Sequence, residues 1–478
     1  MKKVCQDLLT SIPDYDSFLT VAEMDASSYR LAASYPTTVE LREAGRTKEG
    51  YPLLCLRIGE DRYDDRGNPL NMLLLGLPHP NEPIGAMMLE YLTWKLASNQ
   101  ELRDELGYTV YVIKAWDADG ARKNEGWFKG PFTITNYMRH FFRPASQQQA
   151  DWTFPISYKE LQFDTPIPET TAVMHLIDDI KPRFIYNLHN AGFGGAYWYM
   201  SEAAPELFDT LLAIPPKYGV PLHLGEPEVN YVTKLAPAIF NCLGITAHYD
   251  FLESFYKNDM KEAVKSIEGG ECSAAYAWQK YRSFTLLAEL PYFYDARIED
   301  SSPSDMTRGE AVLQSLAEGS VMNDEVSKIL AVSRGYISVD NPYIIAIENF
   351  VRDDAAQENA TRTLVAANPQ YSRVATVAEK FDSLLGSSKF YRTLNFALLL
   401  NGLTYELNSK KAGNLVSTET RTALTAGIKL AQTAFDAAAQ DLEEQLDYSA
   451  IAIRNLIGVQ LESGLAMAEY LKTRERFE

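Results

Sequence analysis

The sequence predicts an α/β fold over residues 1–305, with a mixed, mainly parallel sheet and flanking helices, and an all-α domain over 306–478. Three observations predict it. Short apolar runs alternate with helical patterns up to about residue 300, as in a sheet with crossover helices. Runs such as Asn71-Met72-Leu73-Leu74-Leu75-Gly76-Leu77 are apolar without alternation, the signature of strands buried on both faces. Beyond a polar, Pro-containing seam at 299–303 the pattern turns helical.

The elements follow in order. Residues 38–43 and 53–58 read as strands around the turn Gly45-Arg46-Thr47-Lys48-Glu49-Gly50. After the strand at 71–77, residues 84–96 carry apolar side chains at helical spacing, and 108–113 is a further strand. A helix at 170–180 stops at Lys181-Pro182, and 184–188 and 284–290 complete the central strands. Residues 310–316, 323–332, 371–385, 394–407 and 418–474 favour helix. The last stretch is rich in strong helix formers, contains no Pro, and is interrupted only by Gly427, Gly458 and Gly464.

Composition narrows the function classes. The 478 residues carry 45 Lys+Arg against 64 Asp+Glu, a formal charge of −19. Such a balance argues against binding to nucleic acid or to anionic membranes, which both call for clustered base. The first ten residues hold no apolar run of signal-peptide length, Asp7 interrupting them, and no stretch approaches about 18 apolar residues. A cytoplasmic protein is expected. Cys5, Cys55, Cys242 and Cys272 are widely spaced, without CxxC, and are expected as free thiols.

Chemistry concentrates at two strand ends. Of six histidines, His79 follows a strand within Pro78-His79-Pro80-Asn81-Glu82-Pro83, and His189 follows another within Leu188-His189-Asn190-Ala191-Gly192. Ligands of α/β sheets gather at the carboxyl ends of strands. Glu82 would open the next helix, three residues after His79. Two histidines and a carboxylate, with one position left for water, form a common catalytic zinc arrangement. HxxE alone is weak, and the strand-end context of both histidines gives it weight. His140, His175, His223 and His248 are read as structural or surface residues. The sequence contains no GxSxG, Walker loop, GxGxxG after a strand, or HExxH.

Taken together these motifs resemble the zinc carboxypeptidases of the carboxypeptidase A-like (M14) family, through most of the first 300 residues. Tyr35-Pro36 with the Gly45–Gly50 turn resembles the family's amino-terminal signature, and His79-Pro80-Asn81-Glu82 its zinc motif. Asp117-Ala118-Asp119-Gly120 resembles the NPDG turn, and Pro168-Glu169-Thr170 a helix start. Asn187-Leu188-His189-Asn190 resembles the segment with the third ligand, and Ser283 to Leu290 the strand that delivers a catalytic glutamate.

The resemblance implies a zinc carboxypeptidase-like fold and a Zn2+ ion on His79, Glu82 and His189. It further implies Glu289 as general base and then acid, and Arg122, in Arg122-Lys123-Asn124, as oxyanion stabiliser. The family's Asn-Arg pair for the substrate's terminal carboxylate is absent from the comparable stretch at 150–155, and Arg139 and Arg143 are candidate replacements. Its substrate-capping Tyr has no clear counterpart, Tyr256 being the nearest. Glu271, after Gly269-Gly270, would suit a basic side chain. Phe193, Tyr197, Trp198 and Tyr199 are read as core residues, with a pocket wall as the alternative.

The function expected is zinc-dependent hydrolysis of amide bonds in peptides or peptide-like small substrates, of carboxypeptidase type. Two alternatives stand beside it. One is an N-acyl amino acid amidohydrolase of the succinylglutamate desuccinylase and aspartoacylase kind. The other is a non-catalytic zinc-binding module, against which the presence of both Glu82 and Glu289 speaks. The helical domain is expected to cover the cleft or to make a homodimer.

Overall fold

The computed structural model describes residues 2–257, 259–352, 354–412, 416–472 and 474. Its centre is a nine-stranded sheet. In chain order the strands are β1 (Val39–Arg46), β2 (Pro52–Ile58), β3 (Asn71–Gly76), β4 (Thr109–Ile113), β5 (Phe184–His189), β6 (Tyr197–Met200), β7 (Lys234–Ala236), β8 (Ile239–Asn241) and β9 (Phe284–Glu289). They lie side by side as β1-β2-β4-β3-β5-β9-β6-β8-β7. The sheet is mixed. β4, β3, β5 and β9 run parallel through its middle, and antiparallel pairs lie to either side.

The unalternating apolar runs are explained by two cores. Met72 and Leu74 of β3 enter one hydrophobic cluster, while Leu73 and Leu75 enter another on the opposite face. A strand's side chains alternate between faces, so covering both faces makes every position apolar. Helix Ile84–Ser98 packs in the first cluster and helix Pro168–Ile180 in the second.

Three motifs that supported the resemblance form one structural cluster. The Gly45–Gly50 turn, with Gly50 at φ 84°, is gripped from two helix starts. Asp119 accepts from the Thr47 hydroxyl and the Glu49 N–H, each at 2.8 Å, and Glu169 Oε1 accepts from the Lys48 N–H at 2.8 Å. Asp117 caps helix Ala118–Phe128 through the Gly120 N–H at 2.8 Å. A Cβ on Gly120 would stand 2.6 Å from Pro80 Cβ, so glycine lets this helix abut the turn between His79 and Glu82.

Beyond the seam, helix Arg308–Ser333 opens with a capping box of Thr307 and Glu310. It joins the two helices expected at 310–316 and 323–332 into one. The stretch expected as helix at 371–385 begins instead with strand Val374–Thr376, which pairs with Pro303–Thr307. The stretch expected as one helix at 418–474 is two, Thr418–Gln445 and Ile453–Lys472; residue 473 lies outside the described residues. Between them Tyr448–Ala450 pairs antiparallel with Phe293–Asp295, and Asp295 accepts from the Asp447 N–H at 2.9 Å. These partners lie about 150 residues away, beyond the reach of a propensity argument.

The last helix returns to the sheet. Tyr108 and Tyr186 donate to its Ala468 and Gln460 carbonyls at 2.9 and 2.7 Å, and a Cβ on Gly464 would meet the Tyr186 ring at 2.6 Å. All four cysteines are free. Among the described residues no helix is long and apolar enough to cross a membrane.

Candidate metal centre and active site

Three neighbouring parallel strands carry the site at their carboxyl ends. Register pairs Gly76 with Leu188 and His189 with Glu289, so the turn after β3 and the last residues of β5 and β9 converge. Helix Ile84–Ser98 comes unusually close to β5, since a Cβ on Gly85 would fall 2.4 Å from Leu188 Cβ. That approach brings Glu82 to His189. Asn190 holds the helix start by accepting from the Ile84 N–H at 3.2 Å.

His79, Glu82 and His189 are all buried, with one ligand atom of each lying within 4.8 Å of the others. His79 Nδ1 is 3.0 Å from Glu82 Oε1, and His189 Nδ1 is 3.0 Å from Glu82 Oε2 and 3.2 Å from His79 Nδ1. Glu82 Oε2 and His189 Nε2 are buried without a hydrogen bond among the described residues. Fully buried carboxylate oxygens are costly unless paired. Two imidazoles and an orphaned carboxylate oxygen aimed at one point suit a zinc ion. Behind His189, Asp151 Oδ2 stands 3.5 Å from Nε2 and is itself held by the Asn187 amide at 2.6 Å and, through Oδ1, by the Ser273 N–H at 2.9 Å. A carboxylate behind a metal-binding histidine orients its ring.

Charge in the cluster is strongly redistributed. Burial, with Arg143 beside it, pulls the His79 imidazole down to about 4. Burial pushes Glu82 upward, but the two imidazoles outweigh it and hold the carboxyl well below its usual range. Burial lowers His189, yet Glu82, Asp151 and Glu289 outweigh it and raise the ring to about 10. Glu289 Oε1 lies 3.8 Å from His189 Nδ1, and burial drives its carboxyl well above the ordinary value.

The three arginines separate cleanly. Arg143 belongs to the site: Nη2 is 2.9 Å from the His79 ring nitrogens and Nη1 is 3.3 Å from Glu82 Oε1. Arg122 does not. It is exposed on helix Ala118–Phe128, 5.1 Å over the Tyr51 ring, because the Asp117 cap sets a helix register that turns it away from His79. Arg139 is also elsewhere, paired with Asp436 at 3.0 Å and lying over Phe435. It is the last residue of helix Ile134–Arg139, whereas Arg143 lies beyond that helix on a segment that runs back toward His79.

A cavity of about 650 Å³ opens over the cluster. His79, Glu82, His189, Glu289 and Arg143 line it, and Phe350, Tyr391, Arg392 and Asn395 extend its wall from the helical region. Tyr199 also lines it, and with Tyr197 it hydrogen-bonds Glu228 at 3.0 and 2.6 Å; Phe193 and Trp198 are core. Of the histidines read as structural or surface residues, His248 reaches this wall stacked on Tyr231, and His223 lies 3.4 Å from Asp382. Tyr256 points elsewhere, donating to the Ala356 carbonyl at 3.0 Å. Glu271 is not among the cavity's lining residues, and its Oε1 accepts from the Ile245 and Cys272 N–H groups.

Residues 24–213 match the family model for zinc carboxypeptidases. The resemblance carried by the motifs is thereby borne out over a segment that includes His79, Glu82 and His189 and ends before Glu289. No curated protein matches the chain. Among solved structures it is similar to carboxypeptidase A from Helicoverpa armigera, at 14% identity over 61% of this chain and 71% of that one, with a TM-score of 0.37. Bovine thrombin-activatable fibrinolysis inhibitor is 14% identical over 57% of this chain and 86% of its own, with a TM-score of 0.31. A metallo-carboxypeptidase from Burkholderia cenocepacia is 16% identical over 59% and 61%, with a TM-score of 0.30. These likenesses are remote.

Proposed function

We propose that the chain is a zinc-dependent hydrolase of amide bonds in peptides or peptide-like substrates, of carboxypeptidase type. One observation carries this reading: His79, Glu82 and His189 converge in a cavity with Glu289 Oε1 3.8 Å from His189 Nδ1. His79, Glu82 and His189 would hold a zinc ion, whose Lewis acidity would acidify a water and polarise a carbonyl. Glu289 takes the proton of the attacking water and delivers it to the leaving amine, first as base and then as acid. Arg143, a permanently charged donor beside the ligands, faces the oxygen on which negative charge develops, the role that Arg122 is too distant to play. Asp151 keeps His189 in orientation. The helical region, taken from about residue 306, closes one side of the cavity and so limits the substrate's size.

Metal analysis and a peptide-library digest test this together. Glu289→Gln is expected to retain one zinc per chain while losing hydrolysis about 10³-fold or more. Zinc at full stoichiometry in a His79→Ala/His189→Ala protein would sink the assigned site. Cleavage in the digest confined to C-terminal residues supports the carboxypeptidase type, and internal cleavage overturns it.

A further inference from the structure

Helix Tyr391–Ala412 meets the cavity with its first turn. Arg392 and Asn395 stand three apart, on one helix face, and both line the cavity. Asn395 is only 7% exposed, and neither its amide nor the Arg392 guanidinium hydrogen-bonds to any described residue. The Arg392 Nε is fully buried, and among the described residues no carboxylate comes within 4.0 Å of this side chain. Its guanidinium packs against Gly319, where a Cβ would fall 1.9 Å from Cζ. Burial alone pulls it below its usual value.

An arginine does not shed its proton, so a largely buried guanidinium without an anion is a standing cost. Other part-buried arginines of this chain have partners: Arg308 grips Glu226 through two contacts of 2.6 Å, and Arg297 grips Asp295. Of the cavity's arginines, Arg143 is engaged with His79 and Glu82. Among the described residues of this wall, Arg392 is the unengaged arginine.

We propose that Arg392 and Asn395 form an anion-binding subsite for a carboxylate of the substrate. The guanidinium fork matches the two oxygens of a carboxylate, and the Asn395 amide adds an N–H donor. The word substrate rests on the hydrolase reading above. An arginine and an asparagine then do from the helical region what no Asn-Arg pair does at 150–155.

The test uses full-length, zinc-loaded Glu289→Gln protein and two pools of N-acetyl dipeptides, one ending in a free carboxylate and one in an amide. Binding is read by ultrafiltration and mass spectrometry. The carboxylate pool is expected to bind about tenfold tighter or more, the worth of a charge-assisted hydrogen bond. Adding Arg392→Gln removes that preference, and Arg392→Lys keeps part of it. Asn395→Asp, which sets a carboxylate beside the guanidinium, also removes it and decides the matter should Arg392→Gln misfold. A preference that survives Arg392→Gln or Asn395→Asp overturns the subsite, as does its absence before substitution. Wild-type protein that prefers carboxylates but hydrolyses neither pool overturns the hydrolase reading and leaves the subsite standing.

Discussion

Two buried acidic clusters sit close together at the strand ends, built from the same residue types and put to different use. In one, Asp117, Asp119 and Glu169 accept backbone N–H groups and a hydroxyl, so their oxygens tie a turn to two helix starts. In the other, Glu82 meets two imidazoles and an arginine, one of its oxygens lying 3.0 Å from His189 Nδ1 without a well-aligned hydrogen bond among the described residues. Burial acts on both clusters alike. In the second cluster the two imidazoles outweigh burial and hold Glu82 below its usual range, while in the first Asp117 rises to about 7. A buried carboxylate is therefore not by itself a sign of chemistry. The partners make the difference, since Glu169 Oε2 in the first cluster is equally buried without a hydrogen bond among the described residues.

That contrast can be broken by substitution on each side. Arg143→Ala is expected to lower kcat by about 10²- to 10³-fold, with KM little changed, and equally on carboxylate- and amide-ended peptides. Loss confined to the carboxylate peptides would return Arg143 to the role of a terminal anchor. Asp151→Asn is expected to weaken zinc binding about 10- to 100-fold in a chelator competition, because His189 loses its orienting carboxylate. In the other cluster, Asp119→Ala should cost about 1–3 kcal/mol in urea unfolding while kcat per bound zinc stays at the wild-type level. A fall in kcat per zinc would show that the turn cluster reaches into the chemistry.

The smallest effect is a pH slope. The Asp117 carboxyl titrates near 3.8 when unfolded and is raised by burial to about 7 in the fold. Between these values the folded protein keeps a proton that the unfolded chain has released, so stability declines as pH rises through that window. Asp117→Asn retains an oxygen for the Gly120 N–H and cannot ionise. Urea midpoints of the two proteins are expected to diverge from pH 4 to pH 7, with the wild type losing ground. Parallel curves would mean that Asp117 stays ionised in the fold.

Legibility followed the range of the interactions. His79, Glu82, His189 and Glu289 could be read because His189 and Glu289 end strands and His79 and Glu82 lie in the turn after one, and parallel neighbours bring such ends together. Arg139 and Arg143, four residues apart, could not be told apart by spacing. One ends a helix that faces Asp436, and the other lies past that helix end and reaches His79. Arg122 was misplaced because the Asp117 cap fixes which way its helix turns. The break near residue 447 was hidden since its cause, pairing with Phe293–Asp295, lies far off in the chain.

Taken by itself, the amino-acid order determined the α/β class and the strands buried on both faces, and it named the three candidate ligands and the candidate base. All of these depend on local periodicity or on motifs that end strands. Only the tertiary structure decided which arginine meets the cluster, that Asp151 stands behind His189, and that Tyr391, Arg392 and Asn395 complete the cavity wall. Those relations span 38 to more than 200 positions of sequence. They arise from the packing of helices onto a finished sheet, which no local pattern records.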